Sequence, residues 1–253
     1  MSGATRAEIA ITACSDLFRG AGEILASPTG IIPGVGARLA ALTHAPGLML
    51  TDGEATIFAD VPAIGAEGAI SAGALTYRQL FELIARGRRH VIMGAAQLDR
   101  FGNQNLSAIG DHERPTRQLV GTRAAATNTI NHAVSYWVAR HSQRVFVERV
   151  DFVTGIGTDR ARAAGASTAR FHDLRSVVTN LGVFGFGGPD GSMAITSVHP
   201  GVSVAEVRAA TGFELPVTRG TLAVTRTPDD NELRLIREVI DPRRRREEEV
   251  PTP

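Results

Sequence analysis

Apolar positions spaced three or four apart alternate along this chain with short, nearly continuous apolar runs, a pattern that predicts an α/β protein. The first segment, Ala4 to Gly20, places Ala7, Ala10, Cys14, Leu17 and Phe18 on one helical face. Thr5 stands where an N-cap belongs, and Glu8 follows three residues later, the spacing of a reciprocal capping box. EILAS then reads as a short strand, Gly36 to Ala45 as a second helix and GLMLT as the next strand. Strand, helix, strand implies a parallel unit, whose buried strands need not alternate.

Further on, Leu75 to Gly87 is patterned as a helix with Leu80, Leu83 and Ile84 on one side. RHVIMGAAQLD (Arg89 to Asp99) opens as an apolar strand and runs into the polar loop RFGNQNLSAIGD. His132 to Ser142 is expected as a short helix, and Arg144 to Gly155 as a strand at its apolar start. SVVTNLGVFGFGG and SMAITSVHPG read as strands around a turn. Val202 to Phe213 reads as a helix capped by Ser203, with Glu206 three residues on. Asn231 to Pro242 closes the pattern as a C-terminal helix. One domain is expected over residues 1–242. Residues 243–253, RRRREEEVPTP, are expected as a solvated or disordered end, because their opposite charges weaken each other's field.

Composition narrows the picture. Hydrophobic residues make up 43% and charged residues 21% of the 253, which predicts a folded, soluble core. The formal net charge of +1 makes no case for nucleic acid. The single cysteine, Cys14, excludes an intrachain disulfide and reads as a small buried apolar residue. No apolar run reaches the roughly 20 residues of a membrane helix. The N-terminus lacks a secretory hydrophobic region. A cytoplasmic location follows as an expectation, with neither membrane nor nucleic acid as partner.

Generic site motifs are sparse. Gly34 and Gly36 precede the second predicted helix, so their amides could receive a phosphate or simply form a tight turn. The dinucleotide pattern fails because Leu39 occupies its last glycine position. No Walker A motif, zinc spacing or G-x-S-x-G elbow is present. QLDRFGNQN (Gln97 to Asn105) is richer. It gathers a carboxylate, a guanidinium, amides and a glycine that could orient an acyl thioester, or merely cap a turn. TDGEATIFAD (Thr51 to Asp60) ends a predicted strand and offers Asp52 and Glu54.

Three segments carry a resemblance. GAAQLDRFGNQN resembles the G-x-x-Q-x-D-x-x-G-N region of class I coenzyme A transferase beta subunits. VFVERVDFVTGIG resembles their later strand segment. VVTNLGVFGF, followed by ITSVHPGVSVAEVRAATGFEL, is the strongest match. The likeness reaches about Pro242. It implies a CoA-transferase-like α/β fold with a mostly parallel central sheet flanked by helices, and a site completed by an alpha subunit. In the transferases of this family a beta-chain glutamate attacks the acyl-CoA and passes through a glutamyl-CoA thioester.

Two departures modify that expectation. The family order of glutamate, then asparagine or serine, then glycine falls on Thr51, Asp52 and Gly53, so threonine replaces the nucleophile. Glu54 lies beyond the glycine, shifted by several ångströms and able to face the other way. It is left as an active-site polar or acid/base group, or as a cap or interface ion pair. Second, LVGTRAAATNTIN keeps Gly121 but has Arg123 and Ala124 where further glycines belong. These departures resemble the branch of the family that opens rings in actinobacterial steroid degradation. That implies the beta subunit of a heteromeric hydrolase acting on a cyclic-ketone CoA thioester late in cholesterol breakdown. It also implies a homologous alpha subunit supplying the essential glutamate. CoA is then part of the substrate, and no separate cofactor or metal is needed. Candidate catalytic residues are Thr51, Glu54, Gln97 and Asn103, with Asn105 and Arg123 for substrate binding. The alternatives are a CoA transferase for a short dicarboxylic or 3-oxo acid, and a noncatalytic scaffold for an active alpha subunit.

Overall fold

The computed structural model describes residues 3–52, 55–218 and 222–251, with Thr168 described by its backbone alone. The first helix, α1 (Arg6–Asp16), starts where the capping box predicts. Thr5 Oγ1 accepts from the Glu8 N–H at 3.3 Å, and the Glu8 carboxylate accepts from the Thr5 N–H at 2.8 Å. Strand β1 (Ile24–Pro28) is buried throughout and pairs in parallel with β2 (Leu48–Leu50).

Between them runs α2 (Ile31–Leu42), which begins five residues before the expected start at Gly36. Pro33 is tolerated in the first turn because the N–H it lacks would have no acceptor within the helix. Gly34 and Gly36 therefore sit inside α2, and the phosphate-loop alternative is corrected. Gly36 serves packing: a Cβ there would lie 2.7 Å from Cys14 Cβ and 3.0 Å from the Ile11 carbonyl. Glycine lets α1 and α2 approach closely, with Cys14 fully buried between them as expected.

Past Thr51 the chain turns into β3 (Thr56–Phe58), which pairs antiparallel with β4 (Ser71–Ala74). The sequence pattern gave no sign of this hairpin, because neither strand buries a continuous apolar face. Helix α3 (Tyr77–Arg86) is capped reciprocally by Thr76 and Gln79. It buries Ile84 but exposes Tyr77 and Phe81. Strand β5 (Arg89–Met93) returns to pair in parallel with β1, giving the order β2–β1–β5.

Residues 93–224 form a second compact unit. Short antiparallel pairs, β6 (Gln97–Leu98) with β7 (Gln104–Asn105) and β8 (Ala108–Ile109) with β9 (Arg117–Gln118), shape its polar loop. After α4 (Ala125–Asn131) comes β10 (Ala133–Val138), where the sequence pattern predicts a helix. Val134, Tyr136, Trp137 and Val138 favour a pleated surface, and all six residues are buried. The strand expected after Arg144 is corrected as well. Residues 144–155 run through turns, with only the isolated bridges Leu98 to Phe146 and Gln104 to Gly155 among the described residues. Phe146 is a buried anchor, not a strand member.

Helices α5 (Thr158–Ala163) and α6 (Ala166–Ala169) lead to β11 (Asp173–Thr179), parallel to β10. The first expected segment, Ser176 to Gly188, is two strands, the end of β11 and then β12 (Gly182–Gly185); the second is β13 (Ala194–Val198), and β12 is antiparallel to both β11 and β13. Helix α7 (Val204–Ala209) is capped by Ser203 Oγ, 3.1 Å from the Glu206 N–H. β14 (Ala223–Val224) pairs in parallel with β13. The fold is thus α/β, and in the large sheet the pairs β1–β2, β1–β5, β10–β11 and β13–β14 are parallel against two antiparallel ones, so that sheet is mostly parallel, as expected.

The chain then rejoins the first unit, which comprises residues 1–92 and 225–253, so the single expected domain is two compact units. The predicted C-terminal helix is α8 (Asp230–Arg234), continued by a π-turn over Leu235–Ile240. The charged end is not a solvated tail. It forms α9 (Arg246–Glu249) and folds into the unit. Arg246 is buried and meets Asp241 at 2.9 Å and Glu8 at 3.3 Å. The Glu249 carboxylate accepts from the Ile31 and Ile32 N–H groups at 2.8 and 3.0 Å, capping α2. Arg246 and Glu249 are thus specific partners for groups of the core, while Arg244 with Glu247 and Arg245 with Glu248 form ion pairs along the surface.

Candidate active site

Thr51 closes β2 and is buried. Its Oγ1 donates to the Ala26 carbonyl of β1 at 3.3 Å, and its backbone bridges to Ile57. Asp52 Oδ1 accepts from the Ala55 and Thr56 N–H groups at 3.0 and 3.2 Å, so its carboxylate holds the turn into β3. Glu54 lies outside the described residues.

The second cluster is the polar loop of the other unit. Asn103 is its centre. Its Nδ2 donates to both oxygens of Asp99 (3.2 and 2.9 Å) and to Asp159 Oδ1 at 2.9 Å. Its Oδ1 accepts from the Gly157 N–H at 2.8 Å. Gly157 has to be glycine for this approach, since a Cβ would lie 2.3 Å from the Phe101 carbonyl oxygen. Burial lifts the Asp99 carboxyl above the ordinary range. The hydrogen bonds from Asn103 and Phe101 pull against that shift, and the charge of Asp159 adds to it.

Gln97 and Asp151 clasp each other. Gln97 Nε2 donates to Asp151 Oδ2 at 3.0 Å, and the Asp151 N–H donates to Gln97 Oε1 at 2.9 Å. Asp151 Oδ2 also takes the Gly110 N–H at 2.8 Å. Asn105 Nδ2 donates to Gln97 Oε1 (2.8 Å) and the Ala108 carbonyl (2.6 Å), while its Oδ1 accepts from Ser107 at 2.9 Å. Gln104 is fully buried, with Nε2 on the Gly94 carbonyl and Oε1 without a hydrogen bond.

The structure therefore ties Gln97 and Asn105 into one buried cluster and Asn103 into a second, on the same polar loop. Thr51 belongs to the first unit. Arg123 is exposed, at φ +46°, just before α4. A positive φ at a non-glycine residue is a strained backbone state. Asp151 and Asp159 were missed as partners of this loop, because their pairing depends on contacts some fifty residues apart, which no local spacing encodes. A shallow hollow of about 330 Å³ opens beside this loop, lined by Ala96, Leu106, Arg117, Gln118, Leu119 and Val120. Among the described residues, no cluster of three or more histidines, cysteines and carboxylates could hold a metal, and no helix is long and apolar enough to cross a membrane.

Comparison with known proteins follows this geometry. Residues 65–210 match the Coenzyme A transferase family. The chain is 54% identical over 246 residues to the cholesterol ring-cleaving hydrolase IpdB subunit of Rhodococcus jostii (strain RHA1), covering 97% of this chain and 96% of that protein. It is 53% identical over 248 residues to the IpdB subunit of Mycobacterium tuberculosis (strain ATCC 25618 / H37Rv), covering 97% and 98%. A crystal structure of Rhodococcus jostii RHA1 IpdAB superposes with a TM-score of 0.93 at 53% identity, covering 98% of this chain and 99% of the matched one. By fold and by sequence along nearly its whole length, the chain belongs to the coenzyme A transferase family, as a beta-type subunit.

Proposed function

We propose that this chain is the beta subunit of a two-chain hydrolase that opens a ring of a cyclic-ketone CoA thioester in sterol breakdown. The observation that carries the reading is the end-to-end likeness, at 54% identity, to a subunit of a cholesterol ring-cleaving hydrolase. Thr51 at the family's glutamate position supports hydrolysis over CoA transfer, because a buried hydroxyl bonded to a strand carbonyl is a poor carboxylate substitute.

In this reading the alpha subunit supplies a glutamate as general base. Water adds to the ring ketone while the glutamate takes its proton. The tetrahedral alkoxide collapses to a carboxyl group, and the adjacent ring C–C bond breaks. Its electron pair remains as an enolate beside the second carbonyl, and protonation there completes the ring-opened acid. The thioester is untouched. Fixed donors must meet the oxyanion and the enolate. Gln97, Asn103 and Asn105 act here as positioning residues, since their amides are committed to Asp99, Asp151, Asp159 and the backbone. Arg123, exposed just before α4, is proposed as a substrate-binding residue.

A nucleophile test separates this from CoA transfer. The purified complex with its alpha subunit is turned over in hydroxylamine, then each chain is weighed by mass spectrometry. The proposal expects undiminished activity and no CoA or hydroxamate adduct on this chain. Inactivation with an adduct on Glu54 would restore the transferase.

A further inference from the structure

Gln104 leaves half of its side-chain amide unused. The residue is fully buried, and its backbone is committed on both sides. Its N–H donates to the Gly155 carbonyl at 2.9 Å, and its carbonyl accepts from the Thr154 and Gly155 N–H groups at 2.7 and 3.1 Å. The side-chain Nε2 donates to the Gly94 carbonyl. The amide cannot be turned over, because a carbonyl only accepts and must face the nitrogen. Oε1 is then the only buried side-chain oxygen among the described residues without a hydrogen bond. One bond made and one acceptor stranded leave little net stabilisation. What the amide adds is a hold on Gly94.

Gly94, Ala95 and Ala96 connect β5 to β6 at the carboxyl end of β5, where open α/β sheets gather ligands. All three are half-buried, and a Cβ at Gly94 would meet nothing within 4 Å, so the connection borders open space. The Ala96 N–H donates to the Asn105 carbonyl at 3.0 Å, and Ala96 lines the hollow of about 330 Å³. The Ala95 N–H has no acceptor among the described residues. The Gly94–Ala95 peptide is trans, and in a planar trans peptide the C=O and the following N–H point in opposite directions. Gln104 draws the Gly94 carbonyl inward, so the Ala95 N–H is turned outward. Glycine would let this peptide rotate if the hold were lost.

We propose that the Ala95 N–H is a fixed donor to the anionic oxygen that develops on the CoA-thioester substrate, and that Gln104 is the positioning residue that aims it. The inference rests on the ring-opening reading above and deepens it. That reaction needs donors for an alkoxide and an enolate, whereas the amides of Gln97, Asn103 and Asn105 are already committed.

Two variants, each assembled with the alpha subunit, test this. In one, lactic acid replaces Ala95, so an ester oxygen stands where the N–H was and every side chain is kept. In the other, Gln104→Met keeps the volume and loses the hold on Gly94. Melting verifies that each complex is folded, and kcat and KM are measured for both. A donor used only in the transition state predicts a kcat at least tenfold lower in both variants, with KM within twofold of wild type. A smaller fall in kcat in either folded variant would overturn the proposal, as would a loss that appears in KM instead. Each ratio is taken in the reaction the wild type performs. CoA exchange by the wild type would sink the hydrolase reading by itself and leave the ratios to judge the donor.

Discussion

Asn103 holds two carboxylates apart with one amide nitrogen, and that gives its substitution a definite sign. Replacing it with aspartate puts a third carboxylate against Asp99 and Asp159 and removes the donor both use. Asn103→Asp should cost about 3 kcal/mol of unfolding free energy at pH 7, and less as acid protonates the cluster. Urea unfolding at pH 7 and pH 5 checks this, and a loss under 0.5 kcal/mol at both would mean the network does not constrain the loop. His141 gives the opposite pH signature. Its ring stacks on Phe146 at 3.8 Å, and its nitrogens meet Thr179 and Thr211. Burial pulls its pKa from 6.5 down to about 3. The folded state refuses a proton that the unfolded chain accepts, so the stabilisation is complete above pH 6.5 and fades as pH falls toward 3. Wild type should lose up to about 1.4 kcal/mol per pH unit more than His141→Gln across that window. Parallel stability curves for the two proteins would contradict it.

Among the elements, α9 tests whether the charged end belongs to the fold. Ending the chain at Pro242 removes Arg246 from Glu8 and Asp241, and Glu249 from the first turn of α2. Glu8 keeps Arg237 at 2.7 Å, but orphaning the buried Asp241 carboxylate costs about 3 to 5 kcal/mol, and losing the cap about 1 more. Calorimetry of the truncated chain should show a clear fall in Tm; an unchanged Tm would restore the solvated tail. The same elements show what sequence discloses. α1 and α3 were legible because their caps and apolar faces are local. Strand β10 was not, because its six buried residues take their conformation from β11, forty residues away. The start of α2 was hidden because its cap, Glu249, lies more than two hundred residues downstream. The candidate site divides in the same way. The Gln97–Asn105 segment stood out by composition, whereas its partners Asp151 and Asp159 became visible only in the folded loop.

At the scale of the whole molecule, the chain keeps the family's fold, and Thr51, which the proposal sets at the family's glutamate position, is tied to β1. The polar loop is held from within by the bonds of Asn103 to Asp99 and Asp159. These features suit the proposed role, a subunit that shapes and orients a site in a two-chain enzyme. The most direct measurement turns over the purified two-chain complex with a cyclic-ketone CoA thioester in ¹⁸O-labelled water, in the presence of an acceptor acid. The account predicts a ring-opened product carrying one ¹⁸O in its new carboxyl group, with the thioester intact and no CoA on the acceptor. CoA appearing on the acceptor acid, with the ring unopened, would contradict it.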